Sequence, residues 1–174
     1  MNRILGLFTA AALGMGAGAP AWAEPANLLG VFGNWTAYTS GSGSSLTCYA
    51  LSKPRATQPK NAKRSPIYLM VSDWPGRKVK AEPQIVYGYQ AKEGGAAALG
   101  VGGEKFSFFI RNNGKDGSAW LQQLNETPRL ISAMTGGVSA VASGTSMRNT
   151  KTSDTYSLSG FSDAMDKVHA ACSM

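Results

Sequence analysis

The segment from Ser157 to Cys172, SLSGFSDAMDKVHAAC, constrains this chain more than any other. It reads as a strand end, a glycine turn, an amphipathic helix and a cysteine. Phe161, Ala164, Met165, Val168 and Cys172 recur at i, i+3, i+4, i+7 and i+11, one face of a helix. Ser162 is placed to cap the helix N-terminus, and Asp163 to meet the positive end of its dipole. Cys172 closes the buried face, so it can tie this helix to another part of the chain. The other cysteine is Cys48.

Residues 1–23 read as a cleaved secretory leader. Arg3 supplies the positive start, Ile4 to Met15 an apolar stretch of suitable length, and Ala21-Trp22-Ala23 a small-x-small cleavage site. Cleavage between Ala23 and Glu24 leaves a single domain, residues 24–174. The leader is too short and too broken by glycine and proline to span a bilayer, and no later run is long and apolar enough. No transmembrane anchor is therefore expected after cleavage. The expected location is the periplasm, with outer-membrane association or secretion as alternatives. Two cysteines in an exported chain predict one disulfide, Cys48–Cys172, the alternative being two free thiols.

About 150 residues suffice for one domain with a sizeable core. The strand signals are short and frequent. They are 28–39 with Trp35 as a core anchor, 46–51 carrying Cys48, 67–72 as a central strand, 84–90, 105–111, 119–123, 138–143 and 154–158. Ile85, Tyr87 and Tyr89 share one side of the fourth. Asn-Gly and Asp-Gly pairs mark a hairpin at 112–117. Pro128 to Met134 reads as one or two helical turns, and the glycine-rich 94–103 as a pliable loop. The fold class is mainly β: a compact β-sandwich or barrel-like single domain of about eight short antiparallel strands. A short helical connection and a C-terminal helix complete it.

Charge is uneven. Without Arg3, 16 of the 17 basic residues remain against ten acidic ones, a net charge of about +6. Residues 52–80 hold eight basic residues, Lys53, Arg55, Lys60, Lys63, Arg64, Arg77, Lys78 and Lys80, against Asp73 alone. Residues 52–66 carry three prolines and predict an irregular exposed loop. Two readings stand: a docking surface for an anionic envelope component or protein, or a solvated loop. Trp74 could help anchor a partner. Nucleic acid is disfavoured by the leader and by the lack of interleaved stacking aromatics. Oligomeric state leaves no mark on the sequence.

Catalytic chemistry has few tools here. His169 is the only histidine. It is either half of a Cys/His site or a surface or half-buried helical residue. A Cys172 in a disulfide is neither nucleophile nor ligand, and two cysteines with one histidine match no zinc spacing. Glu82, Glu93, Glu104 and Asp116 form no acid/base pair by spacing. No Walker motif or GxGxxG is present. The expectation is no catalytic residues, no metal and no cofactor.

Gly33-Asn-Trp35 after the leader, Cys48-Tyr-Ala-Leu51 and Ser157-Leu-Ser-Gly-Phe161 with Ala164 resemble the invasion-associated locus B (IalB) family of alphaproteobacterial exported proteins. The turn from Arg129 to Gly136 fits as well. Many members carry a cysteine where Tyr38 or Thr39 stands and a close pair mid-chain; this sequence lacks them. The resemblance implies a compact β-sandwich-like fold at the periplasm or outer envelope, linked in some pathogens to host-cell invasion. It carries no established catalytic residues. The function expected is a non-enzymatic envelope or periplasmic binding module using the basic loop region. The alternatives are a secreted or surface factor in host-cell interaction, and an enzyme with an unrecognised site.

Overall fold

A computed structural model describes residues 25–174; the leader and its Ala23–Glu24 cleavage site lie outside the described residues. Eleven strands form one antiparallel sheet: β1 (Asn27–Phe32), β2 (Trp35–Ser40), β3 (Thr47–Ser52), β4 (Ala56–Gln58), β5 (Tyr68–Trp74), β6 (Val79–Val86), β7 (Ala97–Val101), β8 (Glu104–Asn113), β9 (Asp116–Leu121), β10 (Ser139–Thr145) and β11 (Lys151–Ser157). Helix α1 (Thr127–Gly136) connects β9 to β10, and α2 (Phe161–Cys172) follows β11. The order across the sheet is β1-β2-β3-β5-β6-β9-β8-β7-β10-β11-β4.

The sheet curls back on itself. Trp35 on β2, second from one end, donates its indole N–H to the Ser157 carbonyl on β11, second from the other end, at 3.0 Å. The Asn34 amide donates to the Ser159 carbonyl at 3.0 Å beside it. Side-chain alternation fills the interior, as on β8, where Phe106, Phe108 and Ile110 are buried and Ser107, Phe109 and Arg111 face out. Trp35 meets Phe161 edge-on, ring centroids 4.9 Å apart, so α2 covers the closure.

The apolar face of α2 is the one its spacing predicts: Phe161, Ala164, Met165, Val168 and Cys172 are buried against β1, β2, β3 and β5. Cys172 is joined to Cys48 on β3, 124 residues away. The cap differs from expectation. Gly160, at φ +85°, precedes the helix, and Ser162 lies inside its first turn. A Cβ at Gly160 would collide with the Phe32 carbonyl, so the chain can turn tightly here only with glycine.

Several sequence expectations need correction. Residues 28–39 are two strands, because Gly33-Asn34 makes a tight turn inside an apolar alternation. Residues 94–103 contain β7, which lies between β8 and β10 and buries Ala97, Ala98, Leu99 and Val101. Burial on both flanks overrides its glycine-rich composition. Residues 52–66 are not wholly irregular, since β4 adds to the β11 edge. β6 ends at Val86, so Tyr87 and Tyr89 stand on the following bend. Helix α1 is longer than one or two turns. It buries Leu130 and Met134, and Arg129 pairs with Glu104 at the start of β8.

Candidate functional site

The eight basic residues do not form one surface. Lys53, Arg55, Lys60 and Lys63 are exposed around β4. Arg77, Lys78 and Lys80 sit at the β5–β6 turn and the start of β6. The far end of β6 receives the loop before β5, through a hydrogen bond from the Ser65 amide to the Gly88 carbonyl at 2.8 Å. Eight residues of strand separate the two ends, about 23 Å at roughly 3.3 Å per residue.

Arg64 is turned inward from the predicted surface. Its side chain is 4% exposed and forms a two-pronged pair with Asp154 of β11, Nη2 to Oδ1 at 2.7 Å and Nη1 to Oδ2 at 2.9 Å. Asp154 is fully buried. An unpaired carboxylate there would be costly, so Arg64 serves as its counter-ion. The guanidinium also lies over the Tyr89 ring, 5.7 Å from its centroid. Tyr89 stacks on Tyr87 and shares a 2.6 Å hydrogen bond with Thr152. Burial, reinforced by Asp154 and neighbouring tyrosines, pushes the Tyr87 and Tyr156 phenols far above their ordinary range. Burial also raises Tyr89, while Thr152 and Arg64 act the other way.

Outside this buried pair lies a cleft of about 580 Å³. Lys63 comes from the loop before β5, Lys115 from the β8–β9 turn, and Arg148 from the β10–β11 connection. Tyr89, Ser146, Thr150 and Thr152 add hydroxyls. The connection carrying Arg148 is held in shape. The Ser146 amide donates to the Thr150 carbonyl at 2.9 Å, and the Met147 amide to the Gln90 carbonyl at 2.9 Å. No carboxylate lines the cleft among the described residues, and Arg64 is already neutralised. Three cations with donor hydroxyls are suited to an anion. Only Lys63 and Arg64 were visible as candidates in the sequence. Lys115 and Arg148 are single basic residues in separate turns, and only the topology brings them together.

The His169 position resolves differently. Its Nδ1 lies 2.6 Å from Asp73 Oδ2, and Asp73 Oδ1 accepts the Ala81 amide at 2.8 Å. Asp73 is buried on β5, and β-pairing sets it opposite Cys48. The pair therefore stands beside the disulfide and fastens α2 to the sheet a second time. Both cysteines are consumed in the disulfide, so neither supplies a thiol. Among the described residues no group of three His, Cys, Asp or Glu could hold a metal ion. No helix there is long and apolar enough to cross a membrane. Trp74 is half-buried, its indole N–H donating to Glu82 at 3.0 Å.

The class these features define is a disulfide-closed antiparallel β domain sealed by a C-terminal helix. The model of the invasion associated locus B (IalB) protein family matches residues 35–169, and the chain belongs to that family. The crystal structure of invasion associated protein B from Bartonella henselae has a similar fold, with a TM-score of 0.56 at 12% identity. The match covers 83% of this chain and 98% of that one. A comparison with curated proteins finds no match.

Proposed function

We propose that this protein is an exported, non-enzymatic envelope protein that holds an anionic partner in the Lys63–Lys115–Arg148 cleft. The single observation that carries the reading is the composition of that cleft: three cations from three separate connections, hydroxyls between them, and no lining carboxylate among the described residues. The leader-like start and the disulfide support a periplasmic location. The partner is a compact phosphate- or carboxylate-bearing group of the envelope. Lys60, exposed two residues before the cleft-lining Ala62, extends the positive field without lining the cleft.

Calorimetric titration with tripolyphosphate tests this. Wild-type protein binds, with affinity falling steeply as salt rises. The Lys63→Ala/Lys115→Ala/Arg148→Ala variant loses at least tenfold. Equal affinity in the two proteins, or binding indifferent to salt, would sink the proposal. A second reading, a secreted or surface factor in host-cell contact, is favoured by the name of the Bartonella relative. It requires the protein on whole cells or in culture supernatant, and recovery only after osmotic shock counts against it.

A further inference from the structure

β6 pairs with β9 only through Gln84, Ile85 and Val86. From Val79 to Pro83 it is paired on its other side alone, with β5. β9 has ended by Leu121, and the chain turns off toward α1, so the sheet parts between β6 and the β8–β9 hairpin. Pro83 has no amide hydrogen to offer a neighbour there. The parting is a groove of about 1150 Å³. Its walls are apolar: Trp74, Phe109, Trp120, Leu124, Pro128 and Ile131. Leu124 is 73% exposed and Phe109 41%, so apolar surface reaches the mouth.

Charge at the rim is one-sided. Arg77 lies 3.7 Å from Glu82, which also accepts the Trp74 indole N–H, so that arginine and that carboxylate offset each other. Lys80, exposed on the same rim, has no carboxylate partner among the described residues. The end near α2 is reached by His169, already committed to Asp73. The groove lies across the length of β6 from the Ser65–Gly88 contact, so it is separate from the anion cleft.

We propose that this groove binds a single-chain fatty carboxylate, its acyl chain between Trp120, Leu124 and Ile131 and its carboxylate at Lys80. Apolar walls with one cationic group at the rim match a groove that seats an apolar ligand and orients it by that group. Charge complementarity selects an anionic head over a neutral one. The proposal stands apart from the cleft on Lys63, and either can fail alone.

Titrating the protein with octanoate, dodecanoate and tetradecanoate, read by tryptophan fluorescence and calorimetry, tests it. One molecule binds per chain, and affinity rises about fourfold for each added methylene that enters the groove. Lys80→Ala weakens tetradecanoate at least fivefold and leaves tetradecanol unchanged. Leu124→Asp, at an exposed position that leaves the fold intact, weakens both. Affinity independent of chain length would overturn the proposal, as would equal binding of acid and alcohol. Adsorption to phosphatidylglycerol vesicles without saturable uptake of free tetradecanoate would assign the groove to a membrane surface instead and overturn it. Self-association in sedimentation velocity that tetradecanoate does not reverse would give the groove to a second copy, and would overturn it equally.

Discussion

Two long-range ties hold the ends of this domain, and they differ in kind. At one, Cys48–Cys172 and His169–Asp73 fasten α2 across β3 and β5. At the other, Arg64–Asp154 fastens the loop before β5 to β11 across 90 positions. The first is mainly covalent and borders the apolar groove. The second is ionic and buried, and borders the basic cleft. A disulfide acts largely by restricting the unfolded chain, whereas a buried ion pair is worth little in total and much to each partner alone. The two ends should therefore respond differently to reduction, single substitution and paired substitution.

The largest effect is expected at the covalent tie. Cys48→Ala/Cys172→Ala lowers stability by about 4–5 kcal/mol in the loop-entropy model, measured by urea unfolding of oxidised wild type against the variant. Next, Arg64→Ala or Asp154→Ala costs about 3–5 kcal/mol, because each leaves a buried charge without its partner. Arg64→Met with Asp154→Leu recovers most of that loss, an outcome no pair of cysteine substitutions can give. If the double variant is as unstable as the singles added together, the buried pair is not the tie described.

His169→Ala sharpens the comparison at smaller scale. It removes one charge-assisted hydrogen bond from a partly exposed position and costs about 1–2 kcal/mol by thermal unfolding. The smallest effect is at Tyr156, whose buried hydroxyl has no hydrogen-bond partner among the described residues. Tyr156→Phe changes stability by less than about 1 kcal/mol at neutral pH. At high pH it matters more. Tyr87 and Tyr156 stay neutral in the fold past the point where free phenols ionise. Their contribution is therefore complete below about pH 10 and lost as pH rises beyond it. Unfolding midpoints followed from pH 9 to 11 should fall in wild type and fall less in Tyr156→Phe.

What could be read from the sequence divides along the same line. The α2 face was legible because helical periodicity is a local signal, and Cys48–Cys172 because a chain read as exported, with two cysteines, offers one pairing. Arg64 was not. It stands next to Lys63 in a basic run, and what separates them is a carboxylate on β11. Lys115 and Arg148 carried no local mark at all. β7 was hidden by glycines whose strand state is imposed by neighbours on both sides, and the β1–β2 turn by alternation that continues across it. Neither sequence reading of His169, half of a Cys/His site or a surface or half-buried helical residue, named its partner, because Asp73 lies 96 positions away on β5. Local chemistry was visible, and pairings set by topology were not.

The most direct measurement is in-cell photocrosslinking from Met147, an exposed residue at the rim of the basic cleft. An envelope adduct should form there. It should vanish when Lys63, Lys115 and Arg148 become alanine, and persist when Lys53 and Lys60 do. The same adduct retained in the triple variant, or no adduct at Met147 above background, would contradict an anion-binding role for the cleft.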